Sequence, residues 1–499
     1  MDIKSKVKYT RRSFSGGGSD PGIKGSALIL VSKGWFIIAS WGIVAGLSRF
    51  LGVEDFGRYG LAVAAVSIIN MCFIKGTLQA VSKFVSEEPE KTDAIKTAAL
   101  KVQLWMGGGS FAVFFAAAPV IAALMNSPEL TPYLRIASFI ILFYSFYAVF
   151  IGVLNGRKEF TKQAIFDISY STLKVSLILI LSFFFVLKGA MIGFAAAAGL
   201  VLTGSALVVG LKSFPQTYPA GKILKFCLPV MALTFVLYLS MHLDLFMLKK
   251  FTGTGESAFL AGLYTAALTF ARLPFMLVVS ALALVLFPFI SRVTFTKETE
   301  KTRDYIHQGM RLTYLAMMIG TVLIASSPGA TLRLIYPPEF AGGGSALAWI
   351  CGGYLCFSIF MMALTIITGS GKPYHSLLLT MSVVIIQFIA LWVLVPDYNI
   401  RGAAWGSGIA FFAGALLSGI YLLRKFGAFL EIISFVRITA SGLVTFFISY
   451  FLPVEGPALL LGKDAVLGGI FVLLLILLKE IGKKDLEMLL TTLPFNKSA

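Results

Sequence analysis

Phe50-Leu51-Gly52-Val53-Glu54-Asp55-Phe56-Gly57-Arg58-Tyr59-Gly60-Leu61 is a short polar turn with glycines, set between two long apolar runs. The pattern returns as Phe251-Thr252-Gly253 and then Ala261-Gly262-Leu263-Tyr264. In each copy the second apolar run ends in a charged stretch, Lys83 to Asp93 first and Arg292 to Asp304 later. Other landmarks hold the order with a slowly growing offset: Phe50 and Phe251 stand 201 apart, Pro119 and Pro328 209, and Pro128 and Pro338 210. The pairs Gly156 and Gly369, Gly189 and Gly402, and Gly193 and Gly406 all stand 213 apart. Scattered matches would not keep such a register, so the chain reads as a duplication, residues 25–211 forming one half and 223–424 its structural copy.

The 499 residues are 58% hydrophobic and 13% charged, with a mean hydropathy of +0.87, which lies outside the range of soluble globular proteins. This is the composition of a membrane protein. Apolar stretches of roughly 20 residues, the length that crosses a bilayer core as a helix, recur almost end to end. About 14 are counted, starting near Ser26, Gly60, Ala98, Tyr133, Ala164, Ala190, Ile223, Ala258, Gly309, Ser345, Ser376, Ala403, Ile432 and Ala465. The expected fold is therefore all-α and polytopic, with the last two segments, within 432–481, appended as a helix pair. The basic, glycine-rich stretch 1–24 is expected to be a disordered cytoplasmic tail, and 482–499 a second cytoplasmic tail.

A net charge of +18 raises nucleic acid as a partner, so the placement of the positive residues matters. With a cytoplasmic N-terminus, nine Lys or Arg fall on the outer side: Arg49, Arg58, Arg135, Lys188, Lys249, Lys250, Arg333, Arg401 and Lys463. Four more lie within apolar segments, which leaves 29 of the 42 on the cytoplasmic side. That positive-inside bias places both termini in the cytoplasm and makes most of the charge topological, with no nucleic acid implied.

Enzymatic chemistry in a membrane chain needs a large loop or a cluster of carboxylates, histidines or metal ligands. Neither is seen: the longest loop expected, about 293–308, is short, and His242, His307 and His375 lie far apart. Cys72, Cys227, Cys351 and Cys356 lack the paired spacing of a zinc site and read as core residues, so neither a cofactor nor a metal is expected. Gly369-Ser370-Gly371-Lys372 lacks the leading glycine of a phosphate loop and is followed by Pro373; it reads as a turn, the counterpart of Asn155-Gly156-Arg157-Lys158.

The informative residues are the charges inside apolar segments, each costing roughly 2.5–3.5 kcal/mol at the bilayer centre on insertion scales. They are Lys33, Lys75, Asp167, Lys174, Asp244 and Arg272, four cations against two carboxylates. Helical spacing puts Gln163, Asp167, Tyr170, Ser171 and Lys174 on one polar stripe, Ser67, Met71, Lys75 and Gln79 on a second, and Thr265, Thr269, Arg272 and Ser280 on a third. Lipid tails cannot solvate such stripes, so they are expected to face a water-filled, positively charged space. An internal Asp167–Lys174 pair is an equal alternative to ion coupling at Asp167, and Asp244 is the other coupling candidate. Pro229 and Pro274 are expected to interrupt the seventh and eighth segments and to serve as hinges.

The Phe50–Leu61 run, Leu243-Asp244-Leu245 before Gly262-Leu263-Tyr264, and Leu286-Phe287-Pro288 resemble the polysaccharide transporter family, oligosaccharide flippases of the multidrug/oligosaccharidyl-lipid/polysaccharide (MOP) exporter superfamily. The resemblance implies two six-helix lobes around a central cavity, with two extra helices. It also implies flipping of a polyprenyl-(pyro)phosphate-linked oligosaccharide across the cell membrane, alongside glycosyltransferases of the same pathway. On this reading Lys33, Lys75, Lys174 and Arg272 bind the anionic headgroup while the lipid tail stays among membrane lipids. An ion-coupled multidrug antiporter and a peptidoglycan-precursor flippase are the alternatives. The first would be expected to show an acidic cavity, the reverse of the balance here.

Overall fold

The computed structural model describes residues 21–211, 217–252, 256–296, 298–452 and 456–482. The tail expected at 1–24 lies outside them up to Asp20, the chain being helical from Pro21, and the tail expected at 482–499 lies outside from 483 onward, as does Gly253 of the repeated turn. Among the described residues the regular structure is all helical: α1 (Pro21–Glu87), α2 (Thr92–Leu124), α3 (Thr131–Gly156), α4 (Phe160–Val209), α5 (Ala220–Phe251), α6 (Ser257–Phe295), α7 (Thr299–Ser326), a short α8 (Pro328–Arg333), α9 (Gly344–Gly369), α10 (Pro373–Phe426), α11 (Ile432–Tyr450) and α12 (Pro457–Leu477). Short 3₁₀ turns precede α2, α3 and α9.

Eleven candidate membrane spans are present among the described residues. Three of the helices are too long for one crossing, α1 with 67 residues, α4 with 50 and α10 with 54, against about 20 for a bilayer core. Each is broken by non-helical backbone, α1 at Gly52, α4 at Phe185 and Val186, and α10 at Asn399. Dividing the three at these points brings eleven spans to fourteen segments, in accord with the count from the sequence. Gly52 takes φ 67°, a region open to glycine because it has no Cβ, and this is why the turn in the opening stretch carries one.

The other two breaks fall at positions that correspond under the 213-residue offset read from the sequence. Val186 (φ 50°, ψ −131°) and Asn399 (φ 49°, ψ −123°) share one conformation and stand 213 apart (399 − 186 = 213). Behind each, a glycine lets the two arms of the hairpin close: a Cβ on Gly189 would strike the Leu181 carbonyl, and one on Gly402 the Leu394 carbonyl. The turn at Gly369-Ser370-Gly371-Lys372 is also where expected, ending α9 and opening α10 with Gly371 at φ 82°.

The prolines behave differently from expectation. Helices α5 and α6 run through Pro229 and Pro274 without a non-helical residue, so neither segment is interrupted there. A proline removes one N–H···O bond, but its own φ is helical, and a helix can continue through it. Pro274 also packs closely on Gly320 of α7, where an added Cβ would lie 2.8 Å from the proline ring.

The helices group into two compact units. The first comprises Met1–Gly46, Ile69–Ala116 and Arg135–Met231, of which residues 21–46, 69–116, 135–211 and 217–231 are described. Within it α3 lies against the second arm of α1, with Gly152 facing Val81 and Gly156 facing Val85, and buried Gln103 donates to Thr77 at 2.8 Å.

The second unit comprises Leu47–Ile68, Ala117–Leu134 and Ala232–Ala499. Inside it the opening stretch meets its own repeat: a Cβ on Gly57 would strike the Ala258 carbonyl and lie 2.6 Å from the Gly262 nitrogen, and one on Gly262 would strike the Val53 carbonyl. Phe56, 2% exposed, caps the crossing edge-on to Tyr336 (5.7 Å) and Phe340 (5.4 Å), and Arg49 donates to the Ile335 carbonyl at 2.9 Å. The appended pair is tied to α7 by Tyr314, bonded to Thr439 at 2.8 Å and stacked on Phe435, and by Arg311, which meets the buried Glu480 carboxylate at 2.7 Å just beyond α12.

Candidate functional site

The cations picked out in the sequence are divided between the units. Lys33, Lys75 and Lys174 belong to the first with Asp167, and Arg272 belongs to the second with Asp244. In the first unit, Lys33 Nζ lies 3.4 Å from Asp167 Oδ2, the side chains being 64% and 22% exposed, so the pair is open on the lysine side. Lys75 has Lys33 as its charged neighbour, and beside them Trp35 Nε1 donates to Thr172 Oγ1 at 3.0 Å. The local balance is two cations to one carboxylate.

Lys174 is placed otherwise than an Asp167 partner would be. Its ammonium sits 3.9 Å from the centre of the Phe194 ring and 5.9 Å from that of Tyr170, a cation–π seat, while Asp167 is taken by Lys33. The Asp167–Lys174 pair is thereby corrected. Seven residues do put the two on one helix face, but a partner on another helix can come closer than one two turns away. Gln163, on the same stripe, is buried and turned to Asn155, whose Nδ2 donates to it at 2.9 Å. Tyr170 packs edge-on against Tyr144 at 5.3 Å.

In the second unit Arg272 and Asp244 are near one another without an ion pair within 4.0 Å. Arg272 Nε donates to Tyr354 Oη at 2.6 Å, and its Nη2 donates to the Met241 carbonyl. Asp244 accepts from Tyr264 Oη at 2.8 Å and from the Leu245 backbone N–H at 2.8 Å. Asp244, Tyr264, Gly353, Tyr354, Ser407 and Gly408 line one small pocket. Next to it the fully buried Gln387 donates to the Ser240 carbonyl and to Ser407 Oγ, both at 2.9 Å, and accepts from Ser240 Oγ at 2.7 Å. His242 has its Nδ1 buried with no hydrogen-bond partner, and Arg272 is its charged neighbour. On the third stripe Thr269 is bonded back to the Thr265 carbonyl at 2.9 Å.

Sequence reasoning restricted to charges passed over Tyr264, Tyr354 and Gln387. Tyr264 stood in the repeated motif without a role, and a buried amide in an apolar helix is itself a signal, since Gln387 needs partners for up to four hydrogen bonds. Among the described residues no group of three or more His, Cys, Asp or Glu side chains could hold a metal ion.

The family model described as polysaccharide biosynthesis protein matches residues 23–294, more than half of the chain. The chain belongs to the polysaccharide biosynthesis protein family. The chain is similar to the uncharacterized membrane protein YabM of Bacillus subtilis (strain 168), 25% identical over 409 residues, covering 76% of this chain and 75% of that one. The succinoglycan biosynthesis transport protein ExoT of Rhizobium meliloti (strain 1021) is 25% identical over 345 residues, covering 65% of each. In fold the chain is similar to the lipid II flippase MurJ in its inward closed conformation, with a TM-score of 0.74 at 15% identity over 92% of this chain and 100% of that one. It is also similar to a multidrug resistance MATE family transporter of the MOP superfamily, with a TM-score of 0.66 at 17% identity over 79% and 94%. This member of the polysaccharide biosynthesis protein family thus shares its fold with the MurJ flippase and the MATE transporter, and its described residues include eleven helices long and apolar enough to cross a membrane.

Proposed function

We propose that this transporter flips a polyprenyl-(pyro)phosphate-linked oligosaccharide from the cytoplasmic to the outer leaflet of the cell membrane by alternating access, with both termini in the cytoplasm. The observation that carries the reading is the open Lys33–Asp167 pair with Lys75 beside it, a site whose cations outnumber its carboxylate. An excess of positive charge suits a substrate whose phosphate must cross while its tail stays in lipid. One ion pair at about 4 Å and an effective dielectric constant near 20 contributes about 4 kcal/mol, comparable to the cost of embedding the cation, so capture needs several. Lys33, Lys75 and Lys174 are the candidates in the first unit, and Arg272 is a separate candidate in the second. Asp244, buried in its pocket, is the carboxylate assigned to ion coupling in the second unit, and Asp167 is its candidate in the first. Pro229 and Pro274, where the backbone lacks one hydrogen bond each, are the hinge points assigned to the alternating-access motion, both helices being continuous through them in this structure. Membrane glycosyltransferases that build the saccharide on its carrier stand upstream.

The test is flipping of a lipid-linked oligosaccharide in proteoliposomes. A peptidoglycan-precursor lipid and an uncharged drug-like compound run in parallel. Protein-dependent flipping of the oligosaccharide, reduced by Lys33→Gln and Lys75→Gln at equal protein content, supports the reading. Ion-driven movement of the drug-like compound alone would replace it with the antiporter, and movement of the peptidoglycan precursor alone with that flippase.

A further inference from the structure

The second unit holds a guanidinium in an unusual way for a membrane segment. An arginine set among apolar helices ordinarily takes a carboxylate, since an unpaired buried charge is costly. Here a carboxylate is close by, yet Arg272 bonds to two neutral acceptors: the Tyr354 hydroxyl from α9 and the Met241 carbonyl from α5. Asp244, one helical turn after Met241, has each carboxylate oxygen taken by a neutral donor, one by the Tyr264 hydroxyl from α6 and the other by the Leu245 N–H. Tyr354, Tyr264 and Asp244 are 2%, 0% and 3% exposed, so these bonds are made away from solvent.

Two consequences follow from the bonding. Neutral acceptors fix the plane of the guanidinium without cancelling its charge, and they use two of its five N–H donors, leaving three for an anion. The Tyr264 bond meanwhile holds the Asp244 carboxylate short of an ion pair with Arg272. We infer that Tyr354 is a positioning residue that aims Arg272 at the anionic headgroup, and that Tyr264 keeps Arg272 available by holding Asp244 apart from it. The inference rests on the proposed headgroup-binding role of Arg272 and adds what makes that role work: two tyrosines that do not themselves touch the substrate.

The experiment measures binding of farnesyl pyrophosphate, with farnesol as the uncharged control, to the purified full-length protein in lipid nanodiscs. The variants are Tyr354→Phe, Tyr264→Phe, Arg272→Gln, Asp244→Asn, and the doubles Tyr354→Phe/Arg272→Gln and Tyr264→Phe/Asp244→Asn. Both Phe substitutions keep the ring, and thermal melting checks that the fold is retained. Losing one hydrogen bond to a charged group corresponds to about a tenfold effect, so Tyr354→Phe is expected to weaken pyrophosphate binding by about tenfold in the wild-type background and to have no effect once Arg272 is Gln. Tyr264→Phe is expected to weaken binding with Asp244 present and not with Asn in its place. A merely structural tyrosine would cost the same in both backgrounds, and that result overturns the inference while leaving the headgroup reading intact. Wild-type protein that binds pyrophosphate no better than farnesol overturns the reading itself and the inference with it.

Discussion

Lys33 and Asp167 lie 134 positions apart in the chain and 3.4 Å apart in the fold, a pairing that helical periodicity cannot reveal. Because Lys33 is 64% exposed, the pair contributes little to stability, about 0–1 kcal/mol. Asp167→Asn should therefore leave the melting temperature of the purified protein nearly unchanged while altering transport in proteoliposomes, and a Lys33→Asp/Asp167→Lys swap should recover more transport than either single reversal. Between α1 and α2, Glu88 accepts from Lys91 at 2.6 Å and from the Tyr218 hydroxyl at 3.0 Å, and these bonds hold its carboxyl below the ordinary value of 4.5. Burial and the Glu88 bond push Tyr218 up to about 12, so its hydroxyl stays a donor through neutral pH. A depressed carboxyl stabilises the fold above its unfolded value, and that contribution disappears as pH falls through the folded value. Glu88→Gln should therefore flatten the acid side of a melting-temperature profile and leave the neutral region less stable than wild type. An unchanged acid limb would remove Glu88 from the account. Arg272 was legible as a buried charge, but its holder Tyr354 is 82 positions away and was not.

At the level of elements, the glycines divide into those that let backbones meet and those that do not. In the second unit the opening stretch and its repeat cross where Gly57 faces Ala258 and Gly262 faces Val53, main chain against main chain. No flexible side-chain end is there to yield, so Gly262→Ala should be destabilising by about 1–3 kcal/mol, read as a fall in melting temperature, with transport reduced as well. Gly189→Ala and Gly402→Ala should behave alike, because each faces the equivalent carbonyl behind an equivalent break. Gly108 of α2 has open space where a Cβ would be, so Gly108→Ala should be neutral or stabilising by about 0.5–1 kcal/mol as the helix gains propensity. If Gly108→Ala proved as harmful as Gly262→Ala, the crossing would not be the cause. The positions of these glycines, and the constant offset of 213, could be read from the chain. The breaks near Val186 and Asn399 were legible as the segment starts counted near Ala190 and Ala403, and asparagine tolerates the positive φ it takes, whereas Pro229 and Pro274 read as interruptions and the helices run through them.

Across the whole molecule, the positive-inside reading makes most of the charge topological, and cysteines placed in the turns test this directly. Under the proposed orientation, Ser370→Cys and Arg157→Cys should be shielded from a membrane-impermeant maleimide in intact cells and Asn126→Cys labelled. The opposite pattern would invert the flipping direction. The sequence by itself determined the membrane class, the number of segments, the repeat and the identity of the embedded charges. Each of these depends on what the bilayer does to one residue or one helix at a time: length sets crossing, hydropathy sets insertion, and an embedded charge is costly wherever it sits. The tertiary structure decided the partners: Lys33 for Asp167, aromatic rings for Lys174, and neutral tyrosine and carbonyl oxygens for Arg272. Those choices turn on ångström separations between side chains on different helices, which packing fixes and which neither hydropathy nor helical period encodes.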